Sequence, residues 1–144
     1  MVNVIKLRKG LDINLKGKAE LVRIDLNSNG SYALQPADFV GIVPKVVVKE
    51  GDYVKAGDAL FVSKACPNVR FSSPVSGCVE AVVRGERRKV LCVKVKADAE
   101  QVFVDYGKKD PEQMTAGQVI DSLLEAGIFG YIDQLPYAVS ASPG

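Results

Sequence analysis

Between Val48 and Phe61 the sequence reads VKEGDYVKAGDALF, in which a Gly-Asp pair occurs twice, at Gly51-Asp52 and Gly57-Asp58. Each residue type has a job there. Glycine takes a positive φ without the Cβ clash that other residues meet, and aspartate hydrogen-bonds nearby turn amides. Two sharp reversals so close together leave room between them for only a very short strand. Val54 and Leu60 can then point inward between the turns. This punctuation favours a compact arrangement of short strands over a helix-bearing sheet.

The surrounding sequence extends that reading. FVGIVPKVVVKEG, from Phe39, carries β-branched residues that a helix would tolerate poorly over such a length. VVVKEGD, ALFVSK, VRFSSPVSGCVEAVV and KVLCVKVKA are strand-sized and bounded by Gly, Pro or charged turns, the pattern of a sandwich or small barrel. AVVRGE at 81–86 faintly echoes VVVKEGD at 46–52. Nearer the start, VIKLRKG and LDINLKG alternate apolar with polar positions and predict a hairpin. LVRIDL predicts a strand to Leu26, Asn29-Gly30 a hairpin turn, and Pro36 a break.

Only the last quarter has helical character. Asp110-Pro111 opens a turn, and Thr115 to Gln118 (TAGQ) has the form of a capping box. Val119, Ile120, Leu123 and Leu124 recur at helical spacing as core-facing positions, and Gly127 stands where a left-handed residue ends a helix. Phe129, Tyr131 and Tyr137 are expected as partly exposed aromatic surface. The tail SASPG has linker composition, and the chain reads as a piece of something longer. The expected organisation is a β domain with an N-terminal hairpin over 1–105, a helical appendage over 106–137 and a linker-like tail over 138–144.

Composition closes several routes to function. The 144 residues contain no histidine, which removes phosphohistidine relays, Ser-His triads and the common zinc hydrolase sites. Cys66, Cys78 and Cys92 are odd in number and widely spaced without a C-x-x-C pair, so three free, buried thiols are expected. A formal charge of +2 is too small for a phosphate-tracking surface, and no nucleic-acid partner is expected. No apolar run reaches the roughly 18 residues a membrane helix needs, and MVNVIKLRKG has no signal-like apolar segment.

The turn pair, followed by SSPVSGCV, resembles the two halves of a biotinyl/lipoyl-type domain, the barrel-sandwich hybrid. The expected fold class is therefore mainly β, a barrel-sandwich hybrid with a short C-terminal α-helix. A working carrier of that type presents a modified lysine on the hairpin between the halves. Here the connection reads SKACPNVRF; counting back from Pro74 reaches Cys66, and Lys64 is followed by ACP, which matches neither modification signal. The shape is kept and the arm is absent. Export-pump adaptors share the turn pair but insert a long helical hairpin, and glucose-type phosphocarriers share SPVSGCV but work through histidine.

One family is similar through the whole order of blocks. IKLRKGLDINLKGKAE, FVGIVPKVVVKEGDYVKAGDALF, NVRFSSPVSGCVEAVVRGERRKVLCVKV and SLLEAGIFGYI together resemble the N-terminal region of the A subunit of the sodium-translocating NADH:quinone reductase, from Ile5 to about Tyr137. Where that family often has an Arg-Pro-Phe-like step, this chain reads Leu135-Pro136-Tyr137. The resemblance implies a non-catalytic, peripheral component on the cytoplasmic side of a bacterial inner membrane. Its partners would be the other subunits of the complex and, through the full-length protein, quinone. NADH, flavins, iron–sulfur centres and quinone would act at the level of the complex, with no cofactor in this region. The alternatives are a free-standing KOW- or barrel-type binding module and the barrel-sandwich region of an Rnf-type C subunit.

Arg84 to Lys89, RGERRK, is the one dense charge cluster. A solvated hairpin turn is the ordinary account of such a run. The functional account makes Arg84, Arg87 and Arg88 a dock for an acidic patch on a neighbouring subunit, through charge-assisted pairs. Attraction to anionic lipid is the weakest of the three, since a few charges give only marginal membrane affinity.

Overall fold

The computed structural model describes residues 16–24, 30–141 and 143. Apart from Lys16 and Gly17, the expected hairpin over VIKLRKG and LDINLKG lies outside the described residues, as does the Asn29 half of the Asn-Gly turn. Gly30 has the positive φ, 75°, that its turn requires. Leu21–Ile24, expected as strand, are exposed and irregular. Alternation makes a strand only where a neighbour accepts its hydrogen bonds, and no strand among the described residues pairs there.

Two small sheets enclose the core. In the first, the strand order is β1 (Ser31–Leu34), β7 (Val90–Ala97), β6 (Gly77–Arg84) and β3 (Tyr53–Val54). In the second, it is β2 (Pro44–Val46), β4 (Ala59–Ser63) and β5 (Arg70–Ser72). Every pairing in these sheets is antiparallel. The eight-residue strands β6 and β7 lie inside the first sheet, and register shifts near Val79/Ala81 and Val83/Arg84 bend them. Such bulges strengthen local twist and let a short sheet curl around a core.

The doubled turn joins the two halves. Gly51 and Gly57 have φ of 88° and 106°, and the carboxylates of Asp52 and Asp58 accept from the N–H groups of Lys49 and Lys55, both at 2.7 Å. Each turn then exchanges two backbone bonds with the second half. Gly51 N–H donates to Val79 and Val79 N–H to Asp52; Gly57 N–H donates to Ser73 and Ser73 N–H to Asp58. Val54 and Leu60 are buried, as the turns require. In the second turn motif, SSPVSGCV, Gly77 passes so close to β7 that a Cβ there would overlap the carbonyl oxygen of Lys96.

One aromatic stack fills the centre. Phe61 and Phe71 are stacked at 4.9 Å between centroids, Phe39 meets Phe71 at 4.3 Å, and Tyr131 closes on Phe39 edge-on at 5.1 Å. Apolar burial at this density is the main favourable term holding the sheets together.

The C-terminal quarter is clamped to this core. Helix α1 (Ala116–Glu125) starts at the capping box: Gln118 N–H donates to Thr115 Oγ1, and the Gln118 side chain accepts from Thr115 N–H. Gly127, at φ 70°, ends it. Leu124 joins the core and Leu123 packs against it, whereas Ile120 is 41% exposed. The helical stripe is thus narrower than its spacing suggests, because only the last turn of α1 reaches the sheets. Phe129 is also buried in the core, contrary to expectation, while Tyr131 and Tyr137 are exposed. Gly130 makes the burial of Phe129 feasible, since a Cβ there would come within 2.6 Å of the Phe71 ring. Beyond it, β8 (Asp133–Gln134) pairs with β9 (Val139–Ser140), and Ser140 N–H donates to Val40.

Candidate functional site: a basic cleft between two hairpin tips

The sequence expects the basic run at a hairpin tip, and the structure puts it there. Strands β6 and β7 are joined by Gly85–Lys89, in which Lys89 N–H donates to Glu86 at 3.1 Å and Gly85 N–H to Lys89 at 2.8 Å. The central residues of the turn, Arg87 and Arg88, both have left-handed φ, 54° and 61°. That is the backbone of the tight turns that follow the twist of a hairpin, for which Asn-Gly is the comfortable pair. Arg84 reaches back along the tip, its Nη1 donating to the Arg88 carbonyl at 3.5 Å.

The other hairpin, β4–β5, is the one that presents the lysine in a carrier. Its loop is short and tied down. Ser63 N–H donates to Val69, Val69 N–H to Cys66, and Cys66 N–H to Ser63 Oγ. Lys64 N–H donates to Val43 at 2.8 Å, which pins the loop to the segment before β2. Lys64 itself is exposed.

Between these tips lies a cleft of about 680 Å³. Phe39 and Val90, both buried, form its floor with Ile42, and the exposed side chains of Val40 and Val43 form an apolar wall. Lys64 from the β4–β5 loop and Arg84, Arg87, Arg88 and Lys89 from the β6–β7 tip also line it. Among the described residues, no carboxylate lines the cleft and none of the five cations makes an ion pair. A second cleft, of about 490 Å³ beside α1, is different in kind. There Lys109 Nζ already meets Glu125 at 3.3 Å and Ser122 Oγ at 3.2 Å, so its cation is satisfied within the chain.

The cysteines do not contribute a site. Cys78 is exposed and Cys66 and Cys92 are half-buried, all three free, so the expectation of buried thiols is corrected: none is fully buried, and Cys78 departs furthest. Strand alternation turns Cys78 outward between buried Gly77 and Val79.

With this geometry in place, the comparisons with known proteins decide the family. Residues 5–98 match the family described as the NqrA N-terminal barrel-sandwich hybrid domain, well over half of the chain. This chain belongs to that NqrA family. Its relatives agree. The protein named as the A subunit of the Na(+)-translocating NADH-quinone reductase in Yersinia pseudotuberculosis serotype O:1b (strain IP 31758) is 34% identical over 143 residues, 98% of this chain and 32% of that protein. The protein of the same name from Histophilus somni (strain 129Pt) is 33% identical over 137 residues, 94% of this chain and 31% of that protein. The one from Haemophilus influenzae (strain PittEE) is 32% identical over 137 residues, with the same coverage, 94% of this chain and 31% of that protein. The chain therefore spans about a third of the length of the curated relatives it matches, 32% in the first case.

The NqrA match covers the two halves of the carrier-like body and the basic tip, which lies within residues 5–98. The sequence alone points to Arg84, Arg87 and Arg88 but leaves Lys64 as an ordinary surface lysine. Its neighbours in the cleft are distant in sequence, and only the pairing of the two hairpins brings them together. No helix among the described residues of this NqrA-type domain is long and apolar enough to cross a membrane.

Proposed function

We propose that this chain is a non-catalytic structural region of the peripheral A subunit of a sodium-pumping NADH:quinone oxidoreductase. It supports, without performing, electron transfer from NADH to quinone coupled to sodium export, on the cytoplasmic side of a bacterial inner membrane. The barrel-sandwich body is assigned to residues 1–105, the appendage to 106–137 and a tail to 138–144, in which Val139–Ser140 pairs back onto β8. Cofactors and quinone belong to the complex, and Arg84, Arg87 and Arg88 face another of its subunits. The observation that carries this reading is 34% identity across 98% of the chain to a protein named as the A component of that reductase. The carrier-like hairpin supports it: Lys64 lacks a modification signal, and its loop is tied down at Val43 and Ser63.

The test is a direct assay of the purified chain. We expect an intact mass equal to the polypeptide mass, no NADH oxidation and no quinone reduction. Turnover by the pure chain, or a biotin- or lipoyl-sized increment mapped to Lys64, would sink the scaffold reading.

A further inference from the structure

The basic cleft holds an electrostatic arrangement that the described residues do not balance. Lys64, Arg84, Arg87, Arg88 and Lys89 line one concavity and find no carboxylate among the described residues in it. Clustered like charges beside a low-dielectric wall focus a positive potential, and that potential attracts an anionic partner. The turn adds a second observation. Arg87 and Arg88 sit at φ of 54° and 61°, where a side-chain-bearing residue is strained relative to glycine. Turn stability alone favours Asn-Gly at those two positions. The arginines are held there at a cost to the fold.

We infer that this cleft is the receptor for a short acidic segment of a partner subunit. Carboxylates of that segment pair with Lys64 of one hairpin and with Arg84, Arg87, Arg88 and Lys89 of the other. An apolar side chain between them covers Val43 and the exposed face of Val40, above Phe39. The inference rests on the reading of the chain as one component of an assembly, and it gives the β4–β5 hairpin a role. The tip that a carrier uses to hold a covalent arm here supplies a fixed charge.

The shape favours a protein segment over a lipid surface. The cations line a recess of about 680 Å³ together with apolar residues, whereas a bilayer meets charges that project from a flat or convex face. Side-chain recognition is favoured over strand addition. The adjacent edge strand β2 opens with Pro44, which has no N–H to donate, and continues with exposed Lys45. Guanidinium groups in a fork suit carboxylates, and an apolar anchor flanked by charge pairs is how small interfaces gain register.

The test titrates the chain with a fluorescent peptide alternating Glu with Leu, and with a Gln-for-Glu peptide of equal length. Phosphatidylserine vesicles and inorganic phosphate serve as the other anions. Fluorescence anisotropy should show saturable binding of the Glu peptide, weakened by salt, and little binding of the Gln peptide. Lys64→Glu alone, and Arg87→Glu with Arg88→Glu, should each weaken binding about tenfold or more, while Lys96→Glu at the far end of β7 should not. Unchanged melting of each variant shows that the loss is local. Equal binding of the two peptides, no saturable binding of either, or a neutral Lys64→Glu overturns the inference. So do vesicles that bind as tightly as the peptide, or phosphate that displaces it fully. A neutral Lys64→Glu leaves the scaffold reading untouched, whereas NADH or quinone turnover would remove that reading and leave these titrations standing.

Discussion

Gly57 donates its N–H to the carbonyl of Ser73 at 2.9 Å, and Gly51 does the same to Val79 at the same distance. The two turns are copies in hydrogen bonding but not in crowding. A Cβ at Gly51 would meet nothing within 4 Å, whereas one at Gly57 would lie 3.2 Å from Val104 Cβ and 3.3 Å from the Tyr106 hydroxyl.

Alanine at these glycines should therefore separate the two effects. Gly51→Ala should cost about 1–2 kcal/mol, the strain of a left-handed alanine. Gly57→Ala should cost distinctly more, because the C-terminal segment must also shift; that segment is bonded there by Ala56 N–H to Val102 and Val104 N–H to Ala56. Urea unfolding of both variants measures the difference, and equal losses would show that the close approach of Val104 carries no weight.

The basic turn should be stabilised by replacing what we assign to docking. Arg87→Asn with Arg88→Gly restores the pair that the backbone favours, and it should raise stability by roughly 1–2 kcal/mol. Thermal melting checks this. A lower melting temperature would mean that the arginine side chains stabilise the tip, which the absence of an ion pair at these residues among the described ones argues against.

Alkaline pH should weaken the fold through tyrosine. Burial first, and the nearby Asp58 carboxylate second, raise the Tyr106 phenol above its ordinary value of 10.0. Partial desolvation acts in the same direction on Tyr131, with less weight because the residue is 56% exposed. In the unfolded chain these phenols ionise near the ordinary value, so above it the unfolded state has released protons that the folded state retains. The tyrosine contribution to stability should be level below about pH 10 and fall as pH rises past it. Tyr106 also donates its hydroxyl to Gly57 at 2.9 Å. Tyr106→Phe should accordingly lower stability at neutral pH and flatten the alkaline loss. Parallel alkaline slopes in variant and parent would count against this account.

Local signals carried much of the fold into view. The Gly-Asp turns, the Thr115 capping box, the Gly127 stop and the break at Pro36 each depend on a few adjacent residues, and each forms as its chemistry dictates. What the sequence hid depends on distant partners. Alternation at Leu21–Ile24 found no neighbouring strand among the described residues, and Phe129 is buried because Gly130 leaves room against Phe71, a pairing no periodicity encodes. The site divided in the same way. Arg84, Arg87 and Arg88 are close enough in sequence to read as a cluster, but Lys64 joins them only through tertiary packing.

The strand pairing also bears on how this chain can be made. The edge strand Ser31–Leu34 takes its hydrogen bonds from Val93–Lys96, and Phe39 is covered by Tyr131. A chain leaving the ribosome thus exposes Val46, Phe61 and Phe71 long before the segments that shield them have been synthesised. Pairings between sequence-distant segments form slowly and leave β-branched strands open to other chains in the meantime. Nascent copies of this domain should consequently depend on holding chaperones until the residues around Phe129 emerge, and slower translation would lengthen that exposure.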